Sequence, residues 1–469
     1  MQQSGAGQKL EAIRAFAICL AMVIGSALSI GTEQLAAQVR PGSSSDPNMG
    51  RYFFGTIKSV LRDSYYDPNF RGIDIEETFK STEEKLRSMT GLNQMYLMVS
   101  DALMELDDSH TYILPPFRER EPEYGFTTMM VGDRCLVTSV KPDGEAYVRG
   151  LRSGDQILTF GTIAPTRRNH WKIKLLLYAL NPVSMLQLTV SGVDGKRRQL
   201  EIRSTLVSSK ERQDTVKRLT AQEIAQPFTC KDISADLIAC KVRTFEVNKE
   251  AFRNFYMSIA TKKRLILDLR GNRNGFEDTV MDFTGHFFAK DVVGFSAKGR
   301  NKKKERIARG RNDAFTGEVA IVLDSESAGI AEIFARVIQL ENRGKVYGDI
   351  SAGAVIASEV YIVQLPRVLG QQPGTDILAL MGVSVSEPIM RDGSSLERRG
   401  VIPDEPLGPS GYAIREGLDP ILSHVLGKMG AKISPKEAAA FGFAIPRRIE
   451  MIDVPSKPTK NEVKTPATL

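Results

Sequence analysis

The chain has little of what metal and redox centres are made of. Its 469 residues include only four cysteines, four histidines and one tryptophan, and no Cys and His spacing matches a zinc site, so no metal and no cofactor are expected. Long apolar runs are scarce too. Beyond residue 30 no stretch approaches the roughly 20 apolar residues that a spanning helix needs, which excludes a polytopic membrane protein. Charge of one sign does not dominate, the formal net charge being +7. Its densest part, Lys298 to Arg311 (KGRNKKKERIARGR), lacks the interleaved aromatics of a base-stacking surface. It is expected as a solvated hairpin loop, and no nucleic-acid partner is implied. No internal repeat is visible.

What is present begins at the N-terminus. Lys9 and Arg14 precede an uncharged apolar run from Ala15 to Ile30, and the small residues Ala36 and Ala37 follow. That order is the layout of a Sec-type signal peptide, residues 1–37, cleaved near Ala37. Export to the periplasm or the outside is therefore expected, with membrane contact only through this segment if it stays uncleaved. In an oxidising compartment Cys230 and Cys240, which flank the hairpin-like KDISADLIA, either pair across two strands or remain small buried residues.

Residues 38–50 (QVRPGSSSDPNMG) read as a polar linker. Over 51–117, Leu92, Met95, Met98, Val99, Ala102, Leu103 and Leu106 recur at helical spacing, which predicts an N-terminal helical domain. Short alternating strands fill 118–206. From 207 to 426 strands and helices alternate, with a strand at RLILDLRGN, a helix over Glu277 to Ala289, a strand at EVAIVLD, a helix over Ile330 to Leu340 and a strand at KVYGD. The fold class expected is multidomain α+β, the last domain an α/β (β-α-β) core with a largely parallel sheet. A C-terminal extension, 427–469, ends in a disordered tail from Ser456.

Two strand ends carry chemistry. LDLRGNRNG (Leu267 to Gly275) gives a tight loop whose amides, at Gly271, Asn274 and Gly275, can face an anion. DSESAGIAEIFARV (Asp324 to Val337) places Ser325 and Ser327 just before a helix, as N-caps or as exposed hydroxyls, with the Ile330 amide in its first turn.

PDGEAYVRGLRSGDQILTFGT resembles the core of a PDZ domain. That resemblance implies capture of an extended peptide by β-augmentation, with Tyr124, Gly125 and Phe126 of EYGFTT in the peptide-binding loop. Taken in order, LDDSHTYILPP, LILDLRGNRNG, SESAGIAEIFARVIQ, GDISAGAV and SLERRGVIPDE resemble the tail-specific, or C-terminal processing, serine peptidases and their tricorn-like branch. Carried over residue by residue, the nucleophile's place, three residues before the helix Glu332, falls on Gly329. The place of the base in the lysine-dependent branch falls on Ala354. In the tricorn-like branch the base is a histidine oriented by a glutamate, and His110 and Glu397 stand there. Asn274 and Arg398 replace usual glycines.

The resemblance thus implies an exported peptidase homologue, catalytically impaired, that binds extended or C-terminal peptide segments, with the Gly329 amide left to hold a carbonyl. Two alternatives stay open. One is an active endopeptidase using Ser327 as a displaced nucleophile with His110 and Glu397, and the other is a scaffold subunit of an active relative, for which an oligomer is an allowed state.

Overall fold

A computed structural model describes residues 47–116, 118–364 and 377–444. The signal segment, most of the linker and the tail from Ser456 lie outside the described residues.

The chain enters through α1 (Pro47–Ser64), which starts inside the expected linker because a proline suits a first helical turn, where its missing N–H is not needed. α2 (Ile75–Leu86) follows, capped by the Asp74 side chain on Glu77 N–H, and then α3 (Leu92–Met104). Met95, Val99 and Leu103 of α3 are buried in one cluster with Phe53, Phe54 and Leu61 of α1. A short strand, β1 (Tyr112–Leu114), ends this layer.

β2 (Arg120–Glu123), β3 (Phe126–Val131), β4 (Arg134–Val140), β5 (Gln156–Phe160), β6 (Met185–Ser191), β7 (Arg197–Arg203) and β8 (Thr205–Ser208) come next. Helices α4 (Glu145–Val148) and α5 (His170–Leu175) lie between them. β3 to β7 form an antiparallel sheet in sequence order, with β3 and β7 at its edges, while β2 and β8 make a separate ribbon. This unit has its own core around Val137, Leu151, Ile157, Val190 and Ile202.

A polar helix, α6 (Ser209–Ala225), leads into the core. There β9 (Phe228–Asp232), β10 (Leu237–Val242), α7 (Lys249–Ile259), β11 (Arg264–Asp268), α8 (Glu277–Gly285), β12 (Val292–Gly299), β13 (Lys303–Ala308), β14 (Glu318–Leu323), α9 (Ile330–Leu340), β15 (Lys345–Gly348), β16 (Ala357–Gln364), β17 (Ile377–Ile389), β18 (Glu405–Pro406), α10 (Gly411–Arg415), α11 (Pro420–Lys428) and α12 (Pro435–Ala439) follow in order. One six-stranded sheet runs β18-β15-β14-β11-β10-β9 and is parallel except for β9, which turns back on β10. β10 and β14 are apolar and buried along nearly their whole length because helices cover both faces of a parallel sheet. α9 packs on one face with Phe283 and Phe334, and α11 on the other with Leu422 and Val425. Cys230 and Cys240 stand opposite each other on β9 and β10 and are joined in a disulfide.

Three departures from the sequence reading have physical causes. The helix expected to reach Ala289 stops at Gly285, where the backbone touches the β13 exit so closely that a Cβ would lie 2.1 Å from Arg309 O. The boundary drawn at 426 cuts α11, whose Leu426 shares a cluster with Met429, Ala438 and Phe443, so the described part of the extension belongs to the core. A second five-stranded sheet, β1-β17-β12-β13 with β16 on β17, also went unread. It ties the helical layer to the core, and its β1–β17 and β12–β17 pairings join residues far apart in sequence.

Candidate active site

The site is built at the carboxyl ends of β11 and β14, where open α/β sheets leave room for a ligand. Beneath it, Lys241 Nζ lies 3.1 Å from Asp268, and the Arg270 guanidinium reaches both Asp268 and Asp419 (2.7 Å to the latter), all four residues being nearly or wholly buried. This closed set of charges fixes the start of the 268–275 loop. Its two cations hold the Asp268 carboxyl below the usual range, against its burial.

β14 ends at Leu323 and α9 begins at Ile330, and between them the chain turns sharply. Gly329 sits at the turn with φ 61° and ψ −118°, a conformation that side chains rarely adopt and that recurs at strained functional turns. A Cβ there would meet nothing closer than Ala354 O at 3.7 Å and Arg273 O at 3.8 Å, so the space of a small side chain is available. One turn on, the fully buried Glu332 carboxylate accepts the N–H groups of Gly329 (2.9 Å), Gly353 (2.7 Å) and Ala354 (2.9 Å) and the Ser351 hydroxyl (2.6 Å). Burial pushes its pKa up while these four donors pull it down.

This arrangement corrects one expectation: the Gly329 amide is committed to Glu332 and cannot hold a carbonyl. Gly271 N–H is likewise committed, to Asp324 Oδ1 at 2.9 Å. Asn274 uses its carbonyl on Phe245 N–H (2.8 Å), and Gly275 is required by close approach, since a Cβ would lie 2.4 Å from Phe245 Cβ. Among the described residues the N–H groups of Asn274, Gly275 and Ile330 have no acceptor. Of the amides expected to face an anion, these three are left for a ligand oxygen.

The serines near the turn are structural. Ser327 is 0% exposed, and its Oγ lies 2.9 Å from Leu269 O and 3.0 Å from Asp324 Oδ1 while accepting Asp324 N–H at 3.1 Å. It closes the turn from inside and does not face the cleft, which counts against the displaced-nucleophile alternative. Ser325 donates to Met130 O, and Ser351 serves Glu332 and accepts Val401 N–H. Ser327→Ala is expected to cost about 1–2 kcal/mol in denaturant unfolding and to leave reactivity toward a fluorophosphonate unchanged. Labelling of wild type that disappears in this variant would overturn the assignment.

The second half of the site comes from the loop before β1. Asp108, buried, accepts the N–H groups of His110 (2.9 Å) and Thr111 (2.6 Å), the Ser384 hydroxyl (2.9 Å) and the Tyr65 hydroxyl (2.9 Å), which fixes the loop. Glu397 does not bond His110 directly. Ser109 Oγ stands between them, 2.5 Å from His110 Nδ1 and 3.0 Å from Glu397 Oε2, and Ser109 N–H donates to Glu397 Oε1 at 2.7 Å. Ser109 was missed in the sequence, where its only signal is its place beside His110. Val355 N–H completes the Glu397 shell at 3.2 Å. Consecutive residues therefore join the two halves, Ala354 bonding Glu332 and Val355 bonding Glu397. Arg398, standing where a glycine is usual, adopts that glycine's left-handed backbone (φ 61°). Its guanidinium stacks over Trp171 at 4.4 Å and donates to the carbonyls of Asp107 and Asp108, contacts that offset the backbone strain.

Burial pushes the Glu397 carboxyl up from 4.5 to about 7, with Arg398 opposing and Asp108 adding. The folded state thus holds this proton more tightly than the unfolded chain does. The stability it contributes is complete below pH 4.5 and is lost as pH rises to about 7. Glu397→Gln is expected to remove that slope, so that the variant gains on wild type in unfolding free energy across this window. Parallel pH curves for the two proteins would show that Glu397 does not titrate there.

The residues expected to contact a peptide are placed differently. Tyr124 is buried with its hydroxyl on Val183 O at 2.9 Å, Phe126 is buried in the same core, and Gly125 O accepts Lys141 N–H at 2.8 Å. Neither aromatic side chain can touch a ligand. Along the outer edge of β3, Thr128 O accepts Lys174 Nζ (3.3 Å) and Met130 O accepts Ser325, so core and helix cover this edge.

A sharp strand-to-helix turn on a parallel sheet, linked through Ala354 and Val355 to a histidine, serine and glutamate set, has the kinds of parts from which serine-peptidase sites are built, save a nucleophile. Residues 238–407 match the model of Peptidase family S41. No curated protein matches the sequence. Among solved structures, mature CPAF is similar with a TM-score of 0.59 at 11% identity, over 83% of this chain and 99% of that one. A putative peptidase from Parabacteroides merdae is similar with a TM-score of 0.50 at 12% identity, over 83% and 98%. The photosystem II D1 C-terminal processing protease matches at 18% identity over 78% and 94%, with a TM-score of 0.46. For the first two the likeness is one of fold.

Proposed function

We propose that this chain is an exported peptidase homologue that binds extended polypeptide segments, C-terminal ones included, and does not cleave them. The observation that carries the proposal is the glycine at the turn: it offers no atom for an acyl-enzyme, while the relay and the turn around it keep their form. Gly275 and Ile330 N–H supply two backbone donors for a ligand carbonyl, as an oxyanion hole would. His110, Ser109 and Glu397 then serve to position a ligand. Ser327, closed inside its own turn, supplies no substitute nucleophile. The test incubates the purified protein with fluorescent unstructured polypeptides, reading binding by anisotropy and fragments by mass spectrometry. Saturable binding with intact polypeptide is expected. Fragments that accumulate with protein concentration would refute the reading, and so would the absence of any binding.

A further inference from the structure

The hairpin of β12 and β13 carries cations of two kinds. The arginines on its return are matched: Arg306 reaches Glu277 (3.2 Å) and Asp278, Arg309 reaches Asp291, and Arg311 reaches Asp282. The lysines at its tip are not. Lys298, Lys302, Lys303 and Lys304 are exposed, and among the described residues none has a carboxylate within ion-pair distance. The strand register makes matters worse, because Lys298 stands directly opposite Lys303. Like charges facing each other across two strands are destabilising. Glu387 stands opposite Lys298 on β17, but its carboxylate accepts the Ser395 hydroxyl (2.5 Å) and forms no ion pair with the lysine. The tip is nonetheless held in place, with the Arg300 guanidinium donating to Tyr65 O at 3.0 Å.

Protection of an exposed sheet edge explains one or two lysines along β13, and this pattern differs from it. The charge is gathered at the end of the hairpin, on both of its faces, and falls off along the strand through Glu305, the paired Arg306 and the apolar Ile307. An acidic strand laid along β13 would meet only the first two lysines. A plane of negative charge meeting the hairpin end-on meets all four. The absence of aromatics at the tip removes the stacking surface a single-stranded nucleic acid would use.

We propose that the Lys298–Lys304 tip docks this protein on an anionic phospholipid surface. Lysines held near such a surface each multiply the partition several-fold, and the effect is screened by salt. This contact is separate from the peptide site and independent of the reading of Gly329.

The test is co-sedimentation of the full chain with vesicles of phosphatidylcholine alone and with about one third phosphatidylglycerol. The variant replaces Lys298, Lys302, Lys303 and Lys304 by glutamine, and a control variant replaces Lys80, Lys210, Lys217 and Lys436, exposed lysines elsewhere, in the same way. All three proteins share residues 1–37, so any contribution of that apolar run cancels. Wild type and control are expected to prefer the anionic vesicles by roughly 100-fold, the tip variant to lose at least about tenfold of this, and about 0.5 M salt to erase the preference. The variant should melt no lower than wild type, since it loses a repulsion. Equal losses in tip variant and control would reduce the effect to net charge and overturn the proposal. So would a wild type indifferent to phosphatidylglycerol, or one that binds polyglutamate and ignores the vesicles.

Discussion

Gly329→Ser is expected to react with a fluorophosphonate probe and to cleave an unstructured polypeptide, while wild type and Gly329→Ala do neither. The room exists, since a Cβ at 329 has its nearest neighbours at 3.7 and 3.8 Å. The backbone already stands in the sharp turn that exposes a nucleophile, so the serine side chain emerges where the strand-to-helix geometry directs it. Strain at φ 61° should cost the variant about 1–3 kcal/mol of stability. Removing the serine from an intact serine peptidase lowers turnover by on the order of 10⁶. A misplacement of ~1 Å forfeits about 100-fold, so a gain of roughly 10³-fold or more over wild type is the expected scale. A folded Gly329→Ser protein that stays unlabelled would mean that His110 does not address the turn, and the lost-nucleophile reading would fall. Labelling of wild type would refute it more directly.

The largest stability effect is expected at Glu332. Its carboxylate is the single acceptor for three backbone N–H groups and one hydroxyl, and it draws the turn at 329 onto the 351–354 loop. Glu332→Ala leaves these donors buried without partners at about 1 kcal/mol or more each, for a total of roughly 3–5 kcal/mol. Glu332→Gln should fall between, because its one oxygen serves only part of the set and its amide hydrogens face other donors. Denaturant midpoints at constant slope measure both changes. A loss below about 1 kcal/mol in the alanine variant would show that water replaces the carboxylate freely and that the cradle is not built around it.

Much of the α/β core was legible because its signals are local. The strand at 318–323 and the helix over Ile330–Leu340 follow from an apolar run and a 3.6-residue period, and the helix fell where the spacing placed it. The resemblance to tail-specific peptidases, registered on Glu332, singled out Gly329, which no local signal marks. Ser109 was not legible. Its partner Glu397 lies 288 positions away, and nothing local distinguishes a hydroxyl that bridges two residues from one that meets water. Tyr124 and Phe126 were misplaced because a loop that resembles a peptide-binding edge can still turn its aromatics into its own core.

By itself the sequence determined that residue 329 has no side chain to attack with, that a histidine and a glutamate of the right kinds are present, and that four lysines crowd one hairpin. These are matters of covalent identity, and no folding can alter them. The tertiary structure alone decided that the Gly329 amide is taken by Glu332, that Ser327 is sealed inside its turn, that Ser109 stands between His110 and Glu397, and that Lys298 faces Lys303 and forms no ion pair. Each of these is a hydrogen bond, or the lack of one, set by which distant segments are brought within about 3 Å, a distance over which the bond's energy is won or lost.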